Sequence, residues 1–223
     1  RVGAREPRAM SAPAARSVAC PNCGAPVRFL WAQAVQTTCA YCKAVLVRRD
    51  LDLATIGQQA EFPATGSPIQ IGTEGRWRGT SFLVVGRIAY AWARGRWNEW
   101  HCLLNDGTSA WLSDAQLEYA MTRAITPDGP LPDANRIKVG QAFTWDRHRY
   151  EVATITHASY VGTEGELPFT SYTREICMFV DLQNDAGELA TVDFSDDPPV
   201  LYVGEYCDFD ALELGNLRVF DGW

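Results

Sequence analysis

Phe82-Leu83-Val84-Val85-Gly86-Arg87-Ile88-Ala89-Tyr90-Ala91-Trp92 is the longest alternating run in the chain. Successive side chains on a strand point to opposite sides. The even positions Phe82, Val84, Gly86, Ile88, Tyr90 and Trp92 therefore predict one strand with its large apolar groups on one face. Gly95 permits a turn, and Trp97-Asn98-Glu99-Trp100-His101-Cys102-Leu103-Leu104 reads as a second strand. Asn105-Asp106-Gly107 is a hairpin signal, because Asn and Gly tolerate the positive φ that such turns need. A third strand follows from Thr108 to Leu112, so Ile69–Leu112 reads as a β-meander.

Moving outward on the C-terminal side, Ser113-Asp114-Ala115-Gln116 has the form of a helix start. It predicts a short helix through Arg123, although a strand also fits the β-rich setting. Residues 124–134 hold three prolines and a glycine and mark a boundary. Beyond it the pattern returns. Ile69-x-Ile71-Gly72 recurs as Ile137-x-Val139-Gly140, and Phe82-x-Val84 as Tyr150-x-Val152, both 68 residues on. Glu99 to Gly107 is echoed with an insertion by Glu175 to Gly187, Asn105-Asp106-Gly107 becoming Asn184-Asp185-Ala186-Gly187, and Ser113-Asp114 is echoed by Ser195-Asp196. Internal duplication of a β-unit is the expectation.

On the N-terminal side, Cys20-Pro21-Asn22-Cys23-Gly24 is followed by Cys39-Ala40-Tyr41-Cys42-Lys43. Two C-x2-C pairs fifteen residues apart present four thiolates to one tetrahedral ion. Cys20, Cys23, Cys39 and Cys42 are thus expected to hold structural zinc in a zinc ribbon. Four cysteines leave no open coordination position, so the zinc would not be catalytic. A module this small needs such a staple to fold.

The expected organisation is mainly β: a disordered basic arm over 1–17, a zinc ribbon over 18–50, a linker over 51–68, a first β-domain over 69–123, a linker over 124–134 and a second β-domain over 135–223. The two domains are related meander or barrel-like units. Seven cysteines without an apolar leader fit a reducing, cytoplasmic setting better than a disulfide scaffold. No run of 18 or more apolar residues predicts a membrane span.

The net charge of −7 conceals an asymmetry. Eight Arg and Lys against Glu6 alone give residues 1–49 a charge of +7, leaving −14 for the rest. A basic head can meet nucleic acid, with Arg28, Lys43, Arg48 and Arg49 on phosphates and Phe29, Trp31 or Tyr41 stacking on bases. The acidic body opposes that use.

No nucleophile elbow, phosphate loop or dinucleotide fingerprint is present. His101, His148 and His157 are scattered and form no triad or metal signature, and Cys102, Cys177 and Cys207 sit in apolar strands as buried thiols. The acidic run Asp193, Asp196, Asp197 reads as a solvated loop or as a site for a cation or polyamine. Trp97 and Glu99 share a strand face, with Trp111 across the hairpin. They form an aromatic and acidic patch suited to a binding partner or to stabilising the sheet.

Ile71-Gly72-Thr73-Glu74-Gly75, Phe82–Ile88, Trp97-Asn98-Glu99-Trp100, Trp111-Leu112-Ser113, Leu201–Tyr206 and Leu212–Arg218 together resemble the bacterial "domain of unknown function 4178" family. A zinc ribbon is a familiar companion of that family. The second copy has Thr173-Arg174-Glu175-Ile176 in place of the Trp-Asn-Glu-Trp signature. The resemblance implies association with membrane-stress systems holding phage-shock-type coiled-coil proteins, band-7 proteins and polyamine-synthase-like enzymes. The expected function is a non-enzymatic interaction or adaptor protein, cytoplasmic or peripheral to the inner membrane, with a membrane-associated coiled-coil or band-7 partner. Nucleic-acid binding through the ribbon, and a polyamine or cation sensor or enzyme, are the alternatives.

Overall fold

The structure is a computed structural model that describes residues 17–49, 52–58, 66–170 and 176–220. The basic arm up to residue 16, residues 59–65 of the first linker, and Thr173–Glu175 lie outside the described residues. All regular structure described is β apart from a single 3-10 turn at Asp210–Leu212.

The ribbon comprises β1 (Ser17–Ala19) paired with β2 (Pro26–Arg28), and a sheet of β3 (Gln36–Thr38), β4 (Ala44–Arg49) and β5 (Asp52–Gln58). Strand β5 corrects the expected linker. The ribbon runs on to Gln58, because the Leu53–Thr55 backbone satisfies the open edge of β4. Val27, Phe29, Trp31, Ala34 and Leu46 bury the small core beside Cys20 and Cys39.

The body contains β6 (Glu74–Trp77), β7 (Thr80–Trp92), β8 (Gly95–Leu104), β9 (Ser109–Ala115), β10 (Glu118–Ile125), β11 (Ala142–Trp145), β12 (His148–Gly165), β13 (Ile176–Gln183), β14 (Glu188–Asp193) and β15 (Val200–Cys207). They form one antiparallel sheet in the order β11-β12-β13-β14-β15-β10-β9-β8-β7-β6, and β12 also pairs with β7. The last pairing closes a ring of eight strands, β7 to β10 and β12 to β15. The two meanders are joined at both edges, β10 to β15 and β7 to β12. Strand β12 makes the corner: it pairs with β13 up to Ser159 and with β7 from there to Gly165. Closure removes the exposed edges that an open sheet would present.

The expected helix over 113–123 is instead the end of β9, a tight turn and β10. Gln116 and Leu117 both take positive φ, of 53° and 73°, so the chain reverses where a helix would need to continue. The capping pattern loses to strand pairing on both sides, with β8 for β9 and β15 for β10.

The single-face reading of β7 also needs correction. A β-bulge lies between Val84, opposite Cys102, and Gly86, opposite His101. One extra residue switches the face of everything after it. Phe82 and Val84 therefore pack outside the ring with Trp100, Cys102, Leu112 and Met121, beneath Trp77 and Leu212. Ile88 and Tyr90 face inward with Trp111, Ala158 and Cys177. The matching outer layer of the other half holds Trp145, Tyr150, Val152, Val180, Leu182, Val192 and Leu201.

Positions 68 residues apart do the same work. Trp77 and Trp145 end the short strands β6 and β11, and the turns that follow use positive φ at Arg78 and Gly79, and at Asp146 and Arg147. Gly72 N–H donates to the Val84 carbonyl as Gly140 N–H does to that of Val152. Further on, the offset becomes 80. Gly107 N–H closes its turn onto Leu104, as Gly187 N–H does onto Asn184. The turns are equal in length and Glu99 corresponds to Phe179, so the insertion expected within Glu175 to Gly187 is not there; the extra residues precede β13. By this register Ser113 corresponds to Asp193 rather than to Ser195.

Candidate binding lumen and metal centre

The four expected metal ligands come together. All four thiol sulfurs lie within 4.8 Å of one another, with Cys20 to Cys42 and Cys23 to Cys39 both at 3.8 Å. A tetrahedral centre with metal–sulfur bonds of about 2.3 Å has sulfur–sulfur edges of about 3.8 Å. Each pair sits in the same knuckle. Gly24 N–H donates to the Cys20 carbonyl at 2.8 Å and Lys43 N–H to that of Cys39 at 3.0 Å. Gly24 and Lys43 take positive φ, 75° and 61°. The Asn22 side chain and the Ala44 backbone draw the Cys42 thiol down to about 6, favouring the thiolate. The group is compatible with a metal site.

The ribbon is seated on the barrel through a residue that carries no local sequence signal. Glu166 is 4% exposed. Its carboxylate accepts the backbone N–H of Leu30 at 2.6 Å and of Trp31 at 2.8 Å. Its own N–H donates to the Val85 carbonyl in the bulge at 2.7 Å. Burial raises its pKa and these two amides oppose the shift. The barrel comes so close here that a Cβ on Gly86 would stand 2.0 Å from the Glu166 carbonyl oxygen. Leu167 pairs with Gln36 of β3.

His101 completes the seat. Its Nδ1 lies 2.8 Å from the Glu166 carbonyl oxygen, which can only accept, so Nδ1 carries the proton and Nε2 accepts from Ser109 Oγ at 2.7 Å. Burial lowers its pKa to about 4, which keeps the ring neutral. Trp31 of the ribbon meets it edge-on at 5.0 Å, and Trp111 lies against its other side at 5.1 Å.

Of the proposed nucleic-acid contacts, Phe29 and Trp31 are buried. Arg48 lies 4.3 Å over the Phe29 ring and donates to the Ala32 carbonyl. Tyr41 is exposed.

Trp97, Glu99 and Trp111 are brought together, but they face inward. Their strands are part of the closed ring, so the patch lines a lumen and not an outward surface. The lumen holds a wide cavity of about 810 Å³ and an adjoining narrow one of about 60 Å³. Trp92, Trp97, Thr154, Asp181 and Tyr206 line the wide part; Ile88, Tyr90, Trp111, Thr122, Asp193 and Tyr202 line the narrow part; Glu99, Ser113, Phe179 and Thr191 belong to both. Along β8 the inward side chains run from Trp97 in the wide part, through Glu99 at the junction, to His101 beneath the ribbon.

Three carboxylates face this lumen from three strands. Glu99 accepts from Trp97 Nε1 at 2.9 Å and from Ser113 Oγ at 2.7 Å. Burial outweighs these bonds and, with the charges of Asp181 and Asp193, raises its pKa to about 7. Asp181 accepts from Thr191 Oγ1 at 2.8 Å and Thr154 Oγ1 at 3.0 Å, and its pKa too is raised by burial. Asp193 is raised by burial against two bonds from Ser195. The expected acidic loop thus divides: Asp193 points inward, while Asp196 and Asp197 are exposed. Tyr90, Trp97 and Phe179 form an aromatic wall, with ring centroids 5.1 to 5.7 Å apart.

The alternate positions of the Trp-Asn-Glu-Trp segment serve the opposite face. Arg87, 4% exposed, donates from Nε and Nη2 to Asn98 Oδ1 at 2.9 and 2.6 Å. Asn98 Nδ2 and Trp100 Nε1 reach Asp114 Oδ2 at 3.3 and 3.4 Å, and Arg87 lies 4.9 Å over the Trp100 ring. This network braces the outside of the barrel. His148 bonds Glu188 at the surface, at 2.6 Å.

Fold and site define a closed antiparallel β-barrel with an acidic and aromatic lumen and a four-cysteine ribbon docked on it. The chain belongs to the family described as domain of unknown function (DUF4178), whose model matches residues 70–209, the barrel itself. Comparisons with curated proteins and with solved structures give no match. No helix among the described residues is long and apolar enough to cross a membrane.

Proposed function

We propose that the protein is a non-enzymatic binding module whose barrel lumen takes a small organic ligand, with a zinc-stapled ribbon seated on the barrel. The observation that carries this reading is the lumen itself: about 810 Å³, within the size range of small-molecule sites, with polar and apolar groups in about equal measure and Trp97 and Phe179 set beside Glu99 and Asp181. Zinc suits four thiolates in a closed tetrahedron, and a reducing compartment suits free thiolates. The inward Trp97, Glu99 and Trp111 favour a small ligand over a protein at this site. An adaptor role would then act elsewhere on the surface, toward the membrane-associated coiled-coil or band-7 type of partner that the family resemblance implies.

A thermal-shift survey of small molecules of varied charge tests the reading, run on the protein and on a lumen-filled Ser113→Phe variant. Compounds that raise the Tm of the protein and leave the filled variant unmoved support it. A survey in which no compound stabilises the protein, or in which the filled variant responds equally, contradicts it.

A further inference from the structure

We propose that the lumen takes an organic cation: an ammonium-bearing molecule with an apolar body, its charge held among Glu99, Asp181 and Asp193 and its apolar part against Tyr90, Trp97 and Phe179. This rests on the lumen being a binding site and goes on to name what it binds.

The first support is a set of three carboxylates with no ion-pair partner. Among the described residues, the ion pairs are Arg76–Glu213, Arg78–Glu205, Arg87–Glu164, His148–Glu188 and Arg149–Glu151. None involves the three lumen carboxylates. All three are half-buried; drawing carboxylates part-way out of water without a paired cation is costly, and three together repel one another as well. Sheet stability alone would be served better by apolar groups at these positions. A bound cation removes that cost.

The second support is independent of the acids. Tyr90 and Thr122 line the narrow cavity and are only 6% and 5% exposed, yet neither side-chain hydroxyl makes a hydrogen bond among the described residues. Two hydroxyls that open onto one cavity with no protein partner leave donors and acceptors there for a ligand's polar atoms. The third support is the wall. Aromatic faces attract cations, and more so where water is excluded. Trp97 both stacks on Tyr90 and donates to Glu99, so ring and carboxylate are fixed relative to each other.

Affinity should depend on pH. Glu99 on β8 is faced by Tyr90 on β7, Asp181 on β13, Asp193 on β14 and Tyr202 on β15, with Arg94, Arg96 and Glu118 at the cavity mouth. A carboxyl that is protonated in the empty lumen must ionise to hold a cation. Cation binding at about pH 6 therefore releases protons, and affinity rises toward about pH 8.

Calorimetric titration with four probes of similar shape decides the matter: benzylammonium, benzyltrimethylammonium, benzyl alcohol and phenylacetate. The two cations are expected to bind at least about tenfold more tightly than the neutral and anionic probes. Their binding heat at about pH 6 should vary with the ionisation enthalpy of the buffer, and Glu99→Gln and Asp181→Asn should each cost about tenfold in affinity. The buffer dependence is read on the unaltered protein, so it stands even if a variant fails to fold. Benzyl alcohol or phenylacetate binding as tightly as the cations overturns the proposal but leaves the lumen a binding site. Neither cation binding also overturns it, and the survey with the filled variant then decides separately whether the lumen binds anything.

Discussion

The indole N–H of Trp97 donates to the Glu99 carboxylate at 2.9 Å, inside a closed ring of strands. Two residues that a strand pattern places side by side thereby become one wall of a cavity. Closure by β7 and β12 turns what would be an outward sheet face into a lumen.

Glu99 makes stability depend on pH in a definite direction. Its pKa is about 7 in the fold against an ordinary 4.5, so the folded state binds the extra proton between those values. Stability from this group is therefore largest below about pH 4.5 and falls as pH rises to about 7, by on the order of 3 kcal/mol. Asp181 and Asp193 are shifted the same way. Denaturant melts across this range should show a decline that is shallower in Glu99→Gln. Equal slopes in the two proteins would contradict the assignment.

Glu166 holds the ribbon through two charge-assisted bonds to Leu30 and Trp31. Glu166→Ala leaves both amides unpaired and should cost about 2–4 kcal/mol. Hydrogen exchange at Leu30 and Trp31 should quicken far more than at Val180 in the outer core of the other half. Unchanged protection at the two amides would show that the seat is held by something else.

Removing the metal should act first on the ribbon and then on its seat. Chelation, or Cys39→Ser, should unfold residues 18–58 and free Trp31 from His101, with a change in tryptophan emission and rapid proteolysis before Ile69. Metal analysis of untreated protein should find about one zinc per chain; far less would refute the zinc assignment.

Asn98→Ala should be more harmful than its size suggests. It removes the acceptor of two bonds from the buried Arg87 and a donor to Asp114. A loss of about 2–4 kcal/mol is expected in urea melts. A loss under about 0.5 kcal/mol would mean that the network is not a brace.

Much of this was legible in sequence order. Period-two apolar residues, Asn105-Asp106-Gly107 and the two C-x2-C pairs mark the strands, a hairpin and the thiol cluster, because each is a local signal. Two local signals misled. Ser113-Asp114-Ala115-Gln116 has a helix cap's chemistry but lies between two strands that pair on both sides. In β7 the alternation runs unbroken through a bulge, since both faces of a closed, covered barrel are apolar and the change of face leaves no mark. The lumen was hidden for a different reason. Glu99, Asp181 and Asp193 are 82 and 12 residues apart, and only ring closure brings them to one space. Glu166 was hidden likewise, being an ordinary acidic residue between Gly165 and Leu167 until the ribbon is set upon it.

Nuclear magnetic resonance of the tryptophan indole N–H groups during titration with benzyltrimethylammonium shows whether the lumen is the binding site. Trp97 lines the lumen, while Trp100 lies on the outer face of the same strand and is fully buried there. The Trp97 resonance, assigned through Trp97→Phe, should shift in step with occupancy while that of Trp100 stays nearly still. A saturating titration that leaves Trp97 unmoved would contradict a binding site in the lumen.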